Sequence, residues 1–358
     1  MAHLLKITGI TFLLGIALVS CAEEKYPFPD LGDISGPEEP AVDDTLYIQQ
    51  TPVWDAGNGY AFSEPEDIMV GSEPFLYVAD TENDRITMLD LAGNILGHSP
   101  SIPHPVALTQ DARLNLLVVN GTNRIYRINL YTVSHQIADA AIDTILTNPQ
   151  RDHGTWKFQD ISAFDGDDIY VAAASRVRNE NTVYIFRNLF DETGYDSLRY
   201  QGPLPLNIAS SGIFGVRTPI GLGSAPYSEY DVLFTQRENE WGDSSFKVQW
   251  VTVTADGYAP KITPMQPRDI FAEGKFDLPE DVTTDENNVI FVVDAVKDSL
   301  FRFTPNGDEQ FSFGGTGTGE KQFDRPMGVD VFNKTVYVAD TGNNRIVRFK
   351  LSTDMAQE

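Results

Sequence analysis

Three aspartates, Asp67, Asp160 and Asp281, hold the same position in three short segments that recur along the chain: PEDIMV from Pro65, FQDISA from Phe158 and PEDVTT from Pro279. Three further segments, PVALTQ from Pro105, PIGLGS from Pro219 and PMGVDV from Pro326, carry Ala107, Gly221 and Gly328 there, so acid and small residue alternate. If the segments surround one axis, the carboxylates converge. Like charges so close need a cation, a bound cationic group or raised pKa values. The competing account is that each carboxylate caps local backbone, as aspartate does beside a strand start. Glu66 and Glu280 precede two of the aspartates and complete a candidate ligand set of Glu66, Asp67, Asp160, Glu280 and Asp281. Calcium or another divalent cation is the ion such oxygens would take; no other cofactor is expected.

A second group of acids, Asp80, Asp294 and Asp340, ends the runs FLYVAD, IFVVD and TVYVAD. Arg85 and Arg345 follow two of them by five residues. An aspartate at a strand end accepts hydrogen bonds from turn N–H groups, and an arginine across the hairpin pairs with it. These five residues are therefore read as structural turn locks. Nucleophilic and zinc chemistry have little to build on. The chain has five histidines, none in an HxH or HExxH pattern, a single cysteine and no GxSxG. No catalytic residue is assigned.

These residues sit in a repeated frame. Phe75–Leu91 (FLYVADTENDRITMLDL) and Thr335–Leu351 (TVYVADTGNNRIVRFKL) are near copies, and weaker versions start at Leu114, Asp168, Asp231 and Val289. Anchored at the end of the first strand of each copy, the units fall at Asp80, Asn120, Ala173, Thr235, Asp294 and Asp340, with spacings of 40, 53, 62, 59 and 46 residues. Apolar and polar residues alternate with period two, so each unit is a meander of strands that must stack on its neighbours to bury both faces.

The unit resembles the NHL repeat of β-propellers, P-x-G-[IV]-x-[IV] followed by [IV]-Y-V-A-D-x-x-N-x-R-[IV]. Pro326, Gly328, Val329, Tyr337, Ala339, Asp340, Asn343, Arg345 and Ile346 match it, whereas Asp67 stands where the family prefers glycine, and Ala173 and Thr235 replace the aspartate. The resemblance implies an all-β, six-bladed propeller of four-stranded antiparallel blades over residues 45–358. Its innermost strands would line a central channel. Thr45–Trp54 (TLYIQQTPVW) is an orphan strand before the first unit, and the last unit lacks a fourth strand. The N-terminal strand is expected to close the last blade and so remove a free sheet edge.

Residues 1–20 read as a lipoprotein signal peptide: Lys6, then the apolar run Ile7–Ser20, too short to span a bilayer. LVSC resembles a bacterial lipobox, which makes Cys21 the lipidated first residue of the mature chain. Residues 21–44, with four prolines and eight acids between Ala22 and Asp44, form an acidic, extended tether. Glu23 and Glu24 resemble the surface-export signal of Bacteroides-like lipoproteins. An outer-membrane lipoprotein is expected, on the cell surface or the periplasmic face. Membrane attachment would come from the acyl chains on Cys21.

With 52 acidic against 26 basic residues, a net charge of -26 opposes nucleic-acid binding. The long connections Tyr131–Lys157, Arg187–Thr218 and Thr252–Phe276, together with Trp156 and Trp241, are candidate surfaces for a protein partner or a glycan. The leading expectation is a non-catalytic scaffold or recognition module in an envelope complex. A glycan or small-ligand binder and a lactonase-like metal hydrolase or lyase are the alternatives.

Overall fold

The computed structural model describes residues 46–147, 156–163, 168–175, 182–190, 196–203, 219–224, 231–237, 246–254, 257–262 and 266–355. The signal peptide, Cys21, the tether and Trp241 lie outside the described residues. Strands at two-residue periodicity form six sheets, and the innermost strands touch one another in cyclic order. The fold is an all-β propeller with four-stranded antiparallel blades. Sheet 1 runs outward through Pro65–Val70, Phe75–Asp80, Arg85–Asp90 and Ile95–His98. Sheet 2 holds Ala107–Gln110, Asn115–Val119, Ile125–Asn129 and Ile142–Thr144. Sheets 4 and 5 open with Pro219–Ser224 and Pro279–Thr284 and end with Gly257–Pro260 and Glu309–Gly314.

Sheet 3 departs from the expected pattern. Its four antiparallel strands, Trp156–Ala163, Asp168–Ser175, Thr182–Phe190 and Asp196–Pro203, gain a fifth, Leu146–Thr147, which pairs in parallel with the outermost one. The long connections are also partly sheet. Ile142–Thr144, Asp196–Pro203 and Gly257–Pro260 are outer strands drawn from segments read as loops.

Sheet 6 consists of Pro326–Phe332, Thr335–Asp340, Arg345–Leu351 and, outermost, Tyr47–Gln49. Tyr47 stands opposite Leu351 and Gln49 opposite Phe349, so the first strand in the chain closes the last sheet. The contact continues where Trp54 and Ile346 exchange backbone hydrogen bonds of 3.1 and 3.0 Å. Two aromatics secure it. Tyr47 packs on Phe311 and Phe313 of sheet 5, while the fully buried Trp54 stacks on Tyr60 beneath the Arg348 guanidinium.

The second strands are the buried ones: Leu76–Ala79, Leu116–Val119, Ile290–Val293 and Val336–Ala339 have negligible exposure. Apolar clusters span neighbouring sheets, as where Leu76 and Val78 of sheet 1 meet Tyr337 and Ala339 of sheet 6. Burial of this kind, at about 25 cal/mol per Å2 of apolar surface, is what holds blades together.

A candidate binding site at the channel mouth

A local irregularity sets up the channel. In five of the sheets the innermost strand shifts register near its start, after the first residue in four of them and after the third in sheet 3: between Pro65 and Asp67, Phe158 and Asp160, Pro219 and Leu222, Pro279 and Asp281, and Pro326 and Gly328. The extra residue bends the strand and re-aims the side chain that follows.

The three aspartates meet at a waist between two cavities of about 280 and 300 Å3, both of which they line. They work in the same way. Asp67 accepts the N–H of Ile68 at 2.7 Å and that of Leu108, in the next sheet, at 2.8 Å. Asp160 accepts from Ile161 at 2.7 Å and from Leu222 at 2.5 Å. Asp281 accepts from Val282 at 2.7 Å and from Val329 at 2.8 Å. Each carboxylate therefore latches its own sheet to the next, joining sheets 1 to 2, 3 to 4 and 5 to 6. The small residues serve the alternate interfaces. A Cβ on Gly221 would sit 2.3 Å from the Glu280 carbonyl, and one on Gly328 would sit 2.7 Å from the Asp67 Cα.

This arrangement favours the backbone-capping account over a ready-made ion site. Among the described residues no group of three or more His, Cys, Asp or Glu side chains is placed to hold a metal ion. Glu66, Asp67, Asp160, Glu280 and Asp281 do meet around one cavity, as the sequence suggested, but the aspartate oxygens are turned onto backbone N–H groups rather than gathered about a common point.

Burial, only partly offset by the N–H donors, pushes Asp67 up to about 7. Asp160 is raised by burial and by Asp67, and Asp281 by burial and by both other aspartates. Asp330 on sheet 6 accepts from Val70 and Val331 and from the Thr283 hydroxyl, and burial takes it to about 6. These groups bind their protons more tightly folded than unfolded, where aspartate titrates near 4. Between about pH 4 and 7 the folded chain holds the extra protons, so stability falls as pH rises through that window. His98, lowered by burial and Arg85, opposes the trend as a single group. The melting temperature is expected to be higher at pH 5 than at pH 7.5 by on the order of 5 °C. Scanning calorimetry that finds the reverse order would refute this assignment.

Above the waist the mouth cavity is lined by Glu66, Glu280, Arg237, Lys157, His104 and Asn120, among others. Burial raises Glu66 to about 7, helped by Glu280 and opposed by Arg325. Glu280, also raised by burial, has Arg237 at 3.7 Å. Arg325 is committed elsewhere, to Glu64 at 2.8 Å.

Asp80, Asp294 and Asp340 are fully buried, and they divide the two parts of the expected turn lock between them. Asp80 and Asp340 cap no turn N–H. They take the N–H of Ser63 and of Asp324, on the segments leading into their own sheets, and the Nε of Arg85 at 2.8 Å and of Arg345 at 2.6 Å. Asp294 has no such arginine, since Ser299 stands in its place. Its carboxylate takes the turn N–H groups of Val296 and Lys297 as well as those of Asp277 and Leu278. The threonine after the aspartate reaches the next sheet: Thr81 donates to the Pro105 carbonyl and Thr341 to that of Pro65, both at 2.7 Å.

Sequence reasoning missed Asp330, Lys157 and Arg237. A polar residue inside the apolar run Val329–Val331 could have flagged the first; only the assembled mouth reveals the other two. Trp156 opens the inner strand of sheet 3, and its side chain lies outside what is described.

The NHL repeat family model matches residues 323–349. No curated protein sequence matches the chain significantly. Similar solved structures include a Bacteroides thetaiotaomicron protein of unknown function, with 12% identity and a TM-score of 0.56 over 86% of this chain and 77% of that one. A gluconolactonase from Xanthomonas campestris has 11% identity and a TM-score of 0.53 over 86% of this chain and 89% of that one. A luciferin-regenerating enzyme has 10% identity and a TM-score of 0.54 over 84% and 95%. At such identities the likeness is one of fold. The chain is thus similar to the β-propellers and carries an NHL repeat in its last blade.

Proposed function

We propose that this chain is a lipid-anchored, non-catalytic recognition module: a six-bladed propeller held to the bacterial outer membrane through Cys21, on the cell surface or the periplasmic face, serving an envelope protein complex. The observation that carries the reading is the use made of the channel aspartates. Asp67, Asp160 and Asp281 spend their oxygens on pairs of backbone N–H groups from adjacent sheets, a scaffold role, and leave the mouth as a preformed polar recess. LVSC and the acidic tether support the anchor. The test is fractionation of the full chain and of Cys21→Ser. The parent should pellet with membranes and the variant should become soluble; equal partitioning would remove the anchor.

A second reading is a divalent-metal-dependent lactone hydrolase or lyase. The gluconolactonase of Xanthomonas campestris shares the fold, and Glu66, held near neutrality in a cavity, has the pKa a general base needs. Hydrolysis of a sugar lactone that requires added divalent ion and is lost in Glu66→Gln would favour this reading over recognition.

A further inference from the structure

Two opposite charges line the mouth cavity without meeting. Glu66, on sheet 1, and Lys157, on sheet 3, both contribute to its wall, with sheet 2 between them. Among the described residues neither side chain has a hydrogen-bond or ion-pair partner. Glu66 is near Arg325, but that arginine pairs with Glu64. Glu280, on sheet 5, adds a second carboxylate, with its Arg237 neighbour only at 3.7 Å. A half-buried carboxylate without a partner is costly, and a ligand cation would repay that cost.

The floor imposes a direction. Asp67, Asp160 and Asp281 line the base of the cavity and, protonated or not, offer an anionic group that descends toward them no counter-charge. A ligand's cationic end is drawn down and inward, and its anionic end is left at the exposed rim, where Lys157 stands. The volume, about 300 Å3, is at the small end of ligand sites.

We propose that the mouth cavity binds a small zwitterion, an α-amino acid or a molecule that ends in one, with its ammonium between Glu66 and Glu280 and its carboxylate turned toward Lys157. The assignment rests on the recognition reading and names the class of ligand recognised. A lone amine would leave Lys157 unpaired, and a lone carboxylate would face four or more acids.

The experiment is calorimetric titration of the full chain in detergent with each common L-amino acid singly, and with putrescine, succinate and calcium chloride as single-sign probes. At least one amino acid should bind with Kd below about 1 mM, at least tenfold tighter than putrescine or succinate. Glu66→Gln and Lys157→Gln, both near-isosteric, should each weaken it about tenfold, and circular dichroism should show both folded. The proposal is overturned if no amino acid binds, if folded variants bind as well as the parent, or if putrescine or calcium chloride alone binds as tightly. If an amino acid binds and is chemically altered, the recognition reading falls while the site stands.

Discussion

Deleting residues 46–54 should leave a chain that unfolds at far lower denaturant and self-associates. The segment is nine residues long, yet it supplies the outermost strand of sheet 6 and buries Tyr47 and Trp54. Without it the Arg345–Leu351 strand becomes a free edge, open to pairing with another chain. Trp54→Ala alone isolates the packing part. The indole is fully buried, stacked on Tyr60, tilted against Tyr337 and covered by Arg348, so its loss should cost about 3–5 kcal/mol. Urea unfolding followed by tryptophan-independent circular dichroism measures the change, and size-exclusion chromatography of the deletion detects association. An unchanged midpoint and a monomeric deletion would show that the ring closes without this strand.

Asp340→Ala should be nearly as damaging. Arg345 is 6% exposed and keeps its Nε on the Asp340 carboxylate at 2.6 Å, while Asn343 and the Asp324 N–H depend on the same group. Removing the acid strands a buried guanidinium, which costs about 3–5 kcal/mol. Carbonyls of Thr318 and Gln322 still reach Arg345, so the lower end is expected. Asp80→Ala should cost less, because Arg85 has a 25% exposed side chain and more access to water. Equal losses at the two positions would argue against pair burial as the cause.

The repeat grammar carried most of this fold. The aspartate followed by Asn-x-Arg was legible because these residues partner one another at fixed offsets; the threonine after the aspartate, which holds the opening proline of the next sheet, was not, because its partner lies in another repeat. The orphan Thr45–Trp54 strand was legible from a missing fourth strand in the last unit. Outer strands were not. Ile142–Thr144 and Gly257–Pro260 are three and four residues long, too short to show a period, and the parallel Leu146–Thr147 strand arises only from packing on sheet 3. The alternation of Asp67, Asp160 and Asp281 with small residues was visible. Its purpose depended on the register shift that aims each carboxylate at the N–H of the following sheet, a tertiary relation that spacing alone does not encode. Lys157 opposite Glu66 is a property of the assembled mouth for the same reason.

The most direct measurement is thermal unfolding of the parent chain and of Asp281→Asn at pH 5.5 and 7.5, with and without calcium chloride at constant ionic strength. If the waist carboxylates are latches between sheets, the parent melts lower at pH 7.5, the variant shows a flatter pH dependence, and calcium shifts neither. A calcium-dependent rise at pH 7.5 that appears in the parent and vanishes in Asp281→Asn would mean that these oxygens serve an ion instead.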